Sequence, residues 1–547
     1  MSGNEHWRAD LAALKQRWYA EGVYQRRTLA DEMRDGAAAH PRVRMVFHSD
    51  EHPAVATLAE LRRRSLGLAG ALHGLGLGPG DVVAVQVPNW LEGALAFQAA
   101  ATLGVVLLPV IHIYGPAEVG FLLEQSGARA FVCPDRWRHI DYLERVERLD
   151  RSALPNLEHV IVIGDDTSPD TLSWRALEAR ATTDFSPPAV DPDDVCLLVY
   201  TSGTTADPKG VQHSHNSLLA EVRAIRQTPD ARGPGVNLSA FPAGHIAGVL
   251  GMARLYVHGA ASVLMDQWSA VDAARLVEEH QVTSTAGTPF HLATLLDAAE
   301  AHGSDLSSLR GYMTGAASVP ASLVERADGF GLPTYRAYGS SEHPTITSGS
   351  PDDPLEKRAG TDGRLLPHNE IRILDDEGRD VAPGRPGEIA SRAPELFVGY
   401  RDEALNEASF LPGGWFLTGD IGAVDPEGYL RITDRKKDVI IRAGENIASK
   451  EVEDVLARHP AVVEAAVVGM PDERYGERVC AYVILREGRG LERDEVARHF
   501  EKEGVARQKT PERLIPVADF PRTAAGKVKK FELRERLRSQ ASHVRRR

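Results

Sequence analysis

Hydrophobic and polar positions in the N-terminal three quarters of the chain alternate between a helical and a strand-like period. Leu61, Leu68 and Leu72 recur at helical spacing, and the β-rich run Val82-Val-Ala-Val-Gln-Val87 follows after a Gly-Pro-Gly-Asp turn. Other short apolar runs, such as His159-Val-Ile-Val-Ile163, are separated by helical stretches in the same way. This alternation predicts an α/β fold made of layers with mostly parallel sheets.

One apolar segment has the length of a membrane span. Residues 93–117 contain no Asp, Glu, Lys or Arg. Gly104 and Pro109 interrupt the segment, which therefore divides into a helix rich in small residues and a short strand. We predict that it is a buried part of the α/β core and that the protein does not insert into a membrane.

The pattern changes near Gly399, where Gly, Pro and Asp become frequent before the charge run Asp434-Arg-Lys-Lys-Asp438. The remaining residues predict a compact α+β unit, in which Ser449 caps a helix and two strands and a second helix follow. We place the boundary at the charge run, which gives a large N-terminal domain (residues 1–433) and a small C-terminal domain (residues 434–547).

Composition and charge exclude several classes of protein. The chain has 547 residues, of which 43% are hydrophobic and 26% charged, so it is neither disordered nor fibrous. A net charge of −14 repels phosphate backbones and anionic lipid, so we expect no nucleic-acid partner. Any nucleotide must therefore be held by a local site.

The cysteines and the N-terminus point to a reducing compartment. Cys133, Cys196 and Cys480 lie far apart, cannot all pair and have no zinc-site spacing, which argues against a disulfide framework. The first residues are polar and lack the pattern of a signal peptide. We expect a cytoplasmic protein.

The strongest chemical signal is Tyr200-Thr-Ser-Gly-Thr-Thr-Ala-Asp-Pro-Lys-Gly-Val211, which follows an apolar strand. Its glycines permit unusual backbone angles, its hydroxyls and amides can surround phosphate oxygens, and Lys209 supplies a positive charge. The spacing differs from that of the GxxxxGK[ST] loop. An ordinary surface turn would explain the composition but not this order of residues after a buried strand, so the segment predicts a phosphate clamp.

This segment resembles the phosphate-binding signature of adenylate-forming enzymes, the superfamily of acyl-CoA synthetases, peptide-synthetase adenylation domains and firefly luciferase. Four further segments resemble the family's other motifs and occur in the family's order. They are Tyr338-Gly-Ser-Ser-Glu342, Trp415-Phe-Leu-Thr-Gly-Asp420, Asp434-Arg-Lys-Lys-Asp-Val-Ile-Ile-Arg-Ala-Gly-Glu-Asn446 and Pro521-Arg-Thr-Ala-Ala-Gly-Lys527. The resemblance implies that the large domain binds ATP and the acyl substrate. It also implies that the small, mobile domain carries the hinge, the catalytic lysine and the contacts to coenzyme A.

The resemblance implies a set of ATP-binding residues, namely Thr201, Ser202, Gly203, Thr204, Thr205, Lys209, Tyr338, Gly339, Ser341, Asp420 and Arg435. In this set the Tyr338 ring stacks on adenine, and Asp420 and Arg435 contact the ribose. Glu342 is the expected Mg²⁺ ligand, because this hard cation prefers carboxylate and phosphate oxygens. Ser341 stands where the family more often has threonine, so the hydroxyl group is retained.

Joining a carboxylate to the α-phosphate of ATP brings two anions together, so cations must neutralise the charge that develops. The resemblance gives this task to Lys527. It also identifies Asp434 as the hinge about which the small domain rotates between two half-reactions. That rotation withdraws Lys527 and brings Gly444 to a tunnel for the pantetheine arm of coenzyme A.

The acyl end of the site is expected on three further segments. His245, in a stretch that resembles the border of the family's carboxylate pocket, is included with Lys527 and Glu342 among the catalytic residues. Small residues that leave room for an apolar acyl group are expected at Gly287, Thr288, Gly315 and Ala316. Dihydroxybenzoate ligases have Asn after this histidine; Ile246 here argues against a hydroxylated aryl acid.

Taken together, the motifs predict an ATP-dependent carboxylic acid–CoA ligase that acts through an acyl-AMP intermediate. The overall pattern is most similar to ligases of medium-chain fatty acids and of cyclohexanecarboxylate, so a fatty or alicyclic acid is expected, with ATP, Mg²⁺ and coenzyme A. The resemblance also allows a homodimer. One alternative is transfer of the acyl group to a separate carrier protein. Another is a non-catalytic nucleotide-binding relative, which would have no need of Lys527.

Overall fold

The computed structural model describes residues 6–180, 185–201, 208–226, 235–442, 445–472, 474–523 and 526–544. In these ranges the helices are α1 (His6–Ala20), α2 (Leu29–Ala39), α3 (Leu58–Gly74), α4 (Leu91–Leu103), α5 (Pro116–Ser126), α6 (Tyr142–Glu147), α7 (Trp174–Ala179), α8 (His215–Arg226), α9 (Ile246–His258), α10 (Ala270–His280), α11 (Pro289–His302), α12 (Ala321–Gly329), α13 (Leu355–Gly360), α14 (Ala404–Ser409), α15 (Ser449–Ala457), α16 (Arg493–Lys502) and α17 (Lys530–Val544). None of these helices is both long and apolar enough to cross a membrane.

The strands of the same ranges are β1 (Arg44–His48), β2 (Ala54–Thr57), β3 (Val82–Val85), β4 (Val106–Pro109), β5 (Ala130–Pro134), β6 (Arg136–Trp137), β7 (Ile140–Asp141), β8 (His159–Ile163), β9 (Leu172–Ser173), β10 (Val195–Thr201), β11 (Lys209–Ser214), β12 (Val236–Ser239), β13 (Ala261–Met265), β14 (Ser284–Gly287), β15 (Gly311–Thr314), β16 (Thr334–Tyr338), β17 (Thr347–Ser348), β18 (Arg364–Leu365), β19 (Glu370–Leu374), β20 (Gly387–Arg392), β21 (Gly399–Tyr400), β22 (Phe410–Leu411), β23 (Trp415–Val424), β24 (Leu430–Arg435), β25 (Ile440–Arg442), β26 (Glu445–Ile447), β27 (Val462–Asp472), β28 (Gly476–Leu485) and β29 (Arg513–Pro516). They form three sheets in the large unit, one in the small unit and a separate two-stranded pair.

The first large sheet has the order β21-β11-β10-β4-β3-β5-β8-β9 and is parallel from β10 to β9. The apolar segment 93–117 supplies most of α4 and all of β4. From Gly93 to Leu103 every residue of α4 is buried, because its small side chains allow close packing inside the core. Gly104 ends the helix in the left-handed conformation, with φ of 78°.

The second large sheet has the order β18-β17-β16-β15-β14-β12-β13-β1-β2, and its central strands are parallel. The third sheet is antiparallel and contains β19, β20, β22, β23 and β24. Ligands in open α/β sheets bind outside the carboxyl ends of the parallel strands. The carboxyl ends of β14, β15 and β16 carry predicted site residues, and β23 and β24 carry others.

The small unit is an α+β structure around a sheet of order β26-β25-β28-β27, with β29 beside β28. One core, including Val452 and Phe500, packs α15 and α16 against the sheet, and a second core that includes Leu533 packs α17. The fold class is therefore confirmed: a large layered α/β domain is followed by a small α+β domain. The boundary between residues 433 and 434 falls inside β24 and stays a prediction.

One local prediction about the small unit is wrong. Ser449 does not cap α15 with its own side chain, because the N-cap residue is Ala448 and Ser449 is the first helical residue. The carboxylate of Asp434 takes that place: it accepts hydrogen bonds from the Ser449 backbone N–H at 2.5 Å and from the Ser449 hydroxyl at 3.0 Å. A residue of β24 thus accepts a hydrogen bond from a free backbone N–H group at the N-terminus of α15.

Candidate active site

Two antiparallel strands of the third sheet place the predicted ribose-binding side chains together. Asp420 of β23 pairs in register with Arg435 of β24, and Nε of Arg435 lies 3.0 Å from Oδ1 of Asp420. The Tyr338 hydroxyl, at the end of β16, donates to Oδ2 of Asp420 at 2.7 Å. Burial, and then the charge of Asp420, raises the pKa of Tyr338 well above its ordinary value, so the phenol remains a donor.

An open cleft adjoins these residues. Its volume is about 330 Å³, and it is lined by Thr418, Gly419, Asp420, Arg435, Lys436 and Lys437. Three of the lining side chains are cationic and one is a buried carboxylate. This combination can receive a ribose on the carboxylate and phosphates on the cations.

The predicted phosphate clamp lies at the edge of the first large sheet. Thr201 and Lys209 face each other across β10 and β11. Ser202, Gly203, Thr204 and Thr205 lie outside the described residues.

Tyr400, which the sequence analysis missed, connects Lys209 to Glu342. Tyr400 pairs with Val211 through the short β21–β11 ladder, and its hydroxyl donates to Oε1 of Glu342 at 2.8 Å. Nζ of Lys209 lies 5.1 Å from the centre of the Tyr400 ring. Burial, and next the charge of Glu342, raises the pKa of Tyr400 above its ordinary range. No motif marks Tyr400, because its role depends on strand pairing between distant segments.

The turn after β16 carries Gly339, Ser341 and Glu342. A Cβ atom on Gly339 would lie 2.1 Å from the carbonyl oxygen of Pro344, so only glycine fits this turn. The Ser341 carbonyl accepts a hydrogen bond from Nε2 of His213 at 2.7 Å. Burial is the main reason that the pKa of His213 falls to about 4, which keeps this ring neutral.

Glu342 fits a role as a magnesium ligand. Within the described ranges, no group of three or more His, Cys, Asp or Glu side chains could hold a metal ion without other ligands. Mg²⁺ commonly binds through one or two carboxylates together with the phosphates of its nucleotide. A single carboxylate near the phosphate clamp suits that arrangement, with Mg²⁺ arriving on ATP.

Lys527 reaches the site from the small unit. The turn that carries it is closed by hydrogen bonds from the Thr523 N–H to the Lys527 carbonyl (2.8 Å) and from the Lys527 N–H to the Thr523 hydroxyl (3.2 Å). The charge of Arg435 and then burial lower the pKa of Lys527 to about 7, while Asp420 acts in the opposite direction. The motifs at Asp420, Arg435 and Lys527 are therefore brought into one site.

The predicted acyl-pocket residues occupy neighbouring strand ends. Gly287 pairs with Thr314 across β14 and β15, so Thr288 and Gly315 follow side by side. A Cβ atom on Gly287 would lie 2.3 Å from the Tyr312 hydroxyl, and one on Gly315 would lie 2.6 Å from the Ala337 carbonyl. Ala316 has φ of 62°, an uncommon conformation for a residue with a side chain.

His245 is the N-cap of α9, and its Nδ1 accepts a hydrogen bond from the Ala247 N–H at 3.3 Å. Burial, and then the charge of Lys527, lowers the pKa of His245 to about 4, so the ring is neutral. Phe241 stacks near His245, with 6.2 Å between ring centres, and also contacts His291. Sequence reasoning missed the aromatic contribution of His291, which lies in the first turn of α11.

Asp434 contacts the small unit. Besides its two bonds to Ser449, Oδ1 of Asp434 accepts from the Arg435 N–H at 2.8 Å. Nζ of Lys530 donates to the Ser449 hydroxyl at 2.8 Å and forms an ion pair with Glu453 at 2.7 Å. Gly444, the predicted coenzyme A tunnel residue, lies outside the described residues.

The fold has a large unit and a small unit, and Lys527 of the small unit lies beside Arg435 and Asp420 of the large unit. Residues 33–401 match the model of the AMP-binding enzymes, and residues 451–527 match that of their C-terminal domain. The chain therefore belongs to the adenylate-forming, AMP-binding family of acid–CoA ligases.

Individual relatives agree with this assignment. The chain is 34% identical to a medium-chain fatty-acid–CoA ligase of Escherichia coli (strain K12), with 94% of this chain and 91% of the relative covered. It is 32% identical to a 2,3-dihydroxybenzoate-AMP ligase of Bacillus subtilis (strain 168), with 98% of each covered. Its structure is similar to that of the anthranilate CoA ligase AuaEII in complex with anthranoyl-AMP, with a TM-score of 0.86, 25% identity, and 95% of this chain and 98% of the other covered.

The low pKa of Lys527 predicts the pH dependence of adenylate formation. Below about pH 7 the ammonium group of the free enzyme is charged and can meet two anions, whereas above it the amine is neutral. We expect kcat/KM for ATP, measured by acid-dependent ATP–pyrophosphate exchange, to fall about tenfold per pH unit above this pKa. Lys527→Arg stays charged in this range, so its residual activity should lack that decline. A decline shared by both proteins would contradict the assignment.

Proposed function

We propose that the protein is an ATP-dependent carboxylic acid–CoA ligase that acts through an acyl-AMP intermediate. The observation that carries this proposal is the position of Lys527 beside Arg435 and Asp420, whose charges act on its pKa in opposite directions. A protein that only binds a nucleotide would not need a lysine from a second domain at this place. Three free, buried cysteines support a cytoplasmic enzyme.

In the first half-reaction, a carboxylate oxygen of the acid attacks the α-phosphorus of ATP, and the bond to pyrophosphate breaks. Tyr338, Asp420 and Arg435 orient the nucleoside, and Lys209 contacts the phosphates. Lys527 neutralises the carboxylate and α-phosphate as they approach each other. Mg²⁺, when bound on the phosphates beside Glu342, supplies further charge neutralisation.

In the second half-reaction, the coenzyme A thiol attacks the acyl carbonyl, loses its proton and displaces AMP. The thiol needs the space that Lys527 occupies, so the small domain must turn about Asp434. The motif around Gly444 then takes the place of the lysine.

A cluster of arginines supports coenzyme A as the acceptor. The guanidinium carbons of Arg442, Arg474 and Arg478 lie 4.4, 5.2 and 5.2 Å from the centre of the Tyr475 ring. Cations gathered on an aromatic ring suit a phosphorylated nucleotide, which offers both a base to stack and phosphates to pair. The adenosine phosphate head of coenzyme A has this chemistry.

The acyl substrate is proposed to be a medium-chain fatty acid or an alicyclic acid. The E. coli relative acts on medium-chain fatty acids, as its name states. The small residues at Gly287, Gly315 and Ala316, together with the neutral ring of His245, form surroundings suited to an apolar group.

The proposal predicts pyrophosphate release that depends on a particular acid. The assay uses carboxylic acids from acetate to long-chain, alicyclic and aryl members, each with ATP and Mg²⁺, with and without coenzyme A. Turnover that requires coenzyme A supports the ligase. If an acyl-AMP forms but only a carrier protein accepts the acyl group, the protein is a carrier-loading ligase and not a CoA ligase. If no acid gives an acyl-AMP, both the CoA ligase and the carrier-loading ligase are contradicted.

Lys527→Ala is expected to separate the half-reactions. It removes the cation needed at the phosphate, so acyl-AMP formation should fall about a hundredfold or more. Thioester formation from supplied acyl-AMP should change by less than about threefold, because Lys527 is withdrawn in that step. Equal losses in both assays would refute this role.

Arg474→Ala is expected to raise the KM for coenzyme A about tenfold, because a charge-assisted phosphate contact is lost. ATP–pyrophosphate exchange and turnover with pantetheine, which has no nucleotide, should match those of the unmodified protein. Arg493→Ala removes another exposed arginine of the small domain and serves as the control. An unchanged KM for coenzyme A in Arg474→Ala would exclude the cluster as its binding site.

A further inference from the structure

The turn that carries Ser341 and Glu342 is held by hydrogen bonds from two other segments of the chain. It connects β16 to β17, and its backbone is held at two carbonyl groups. The Ser341 carbonyl accepts from His213, and the Glu342 carbonyl accepts from the Phe397 N–H at 2.8 Å. The side chains of Ser341 and Glu342 are thus presented by a backbone that other segments hold.

His343 belongs to the same turn and is held through both its backbone and its side chain. The Ser340 N–H donates to the His343 carbonyl at 2.8 Å, and the His343 N–H donates to the Ser340 hydroxyl at 3.2 Å. The His343 ring is completely buried, with Nδ1 2.9 Å from the Ser391 hydroxyl and Nε2 3.5 Å from Oε1 of Glu395.

Asn369 also contacts the His343 ring. Nδ2 of Asn369 donates to the carbonyl groups of Thr345 (2.9 Å) and Ile346 (3.1 Å), and it lies 3.2 Å from Nε2 of His343. Nε2 of His343 therefore lies between the Asn369 amide and the Glu395 carboxylate.

The approach of His343 Nε2 to Glu395 matters because the Glu395 carboxylate is otherwise isolated from polar partners among the described residues. Its side chain is completely buried, and neither oxygen has a hydrogen-bond partner within the usual distance among the described residues. The nearby buried carboxylate of Glu221 is already paired with Arg254 at 2.9 Å and accepts from the Thr345 hydroxyl at 2.7 Å. Loss of the His343 ring would leave a buried carboxylate with no compensating group.

We propose that the buried His343–Glu395 pair is a positioning device that holds Glu342 where it meets the metal on ATP. The inference rests on the proposed function, because it assigns the Mg²⁺ contact to Glu342. His343 is a positioning residue and not a catalytic one, since it acts through the turn and faces Ser391 and Glu395.

The test measures ATP binding to the full-length protein by calorimetry, with and without Mg²⁺. In His343→Ala the gain in affinity that Mg²⁺ provides should shrink about tenfold, while affinity for metal-free ATP stays within about twofold. His343→Gln supplies an amide N–H donor near Glu395 and should recover most of the gain. A general structural role would weaken both forms of ATP alike.

Glu395→Gln provides the second arm. It preserves shape and removes the charge, so it should also reduce the Mg²⁺-dependent gain, and combining it with His343→Ala should add little further loss. Fully additive losses, or an unchanged gain in a folded His343→Ala, would overturn the proposal. Binding needs no acid, so this result stands even if the acid panel fails and the proposed function is abandoned.

Discussion

Two cations that face one buried carboxylate form the constraint on which the site depends. Lys527 and Arg435 approach each other across the two units, and Asp420 is the main opposing charge. The charge of Arg435, and then burial, lowers the pKa of Lys527 to about 7, so this arrangement disfavours the charged lysine when no further anion is present. In the proposed reaction the nucleotide phosphates would stabilise both cations, which would favour the docked position of the small unit when ATP is bound.

The sheets explain how residues more than 200 positions apart come to lie together. Parallel strands bring Gly287, Gly315 and Tyr338 to one sheet edge, and the β23–β24 ladder sets Asp420 opposite Arg435. In the proposed function, each sheet contacts a different part of the substrates. The proposed acyl walls and adenine contact come from the second sheet, the proposed ribose contacts from the third, and the proposed phosphate clamp from the first.

Sequence reasoning predicted the parts of the site that lie within ordered motifs, because spacing and residue type carry that information. The α/β layers, the small α+β domain and the convergence of Asp420, Arg435 and Lys527 were accessible in this way. Tyr400 and His343 were not, because their partners come from other sheets and loops. Ser449 shows the opposite failure: its residue type suits a helix cap, but tertiary structure brings Asp434 to the helix end.

Asp434 connects the third sheet to the small unit, so a rotation of the small unit would change its contacts. The backbone of Asp434 pairs with Ile421 in the third sheet, while its side chain binds Ser449 at the start of α15. Burial raises the pKa of Asp434, and its bonds to Ser449 and the charge of Lys530 oppose that effect. A strand pairing therefore fixes one side of this residue and a helix fixes the other. The proposed rotation between the half-reactions would either turn the Asp434 backbone itself or break its bonds to Ser449, so this one residue would join the proposed hinge to α15.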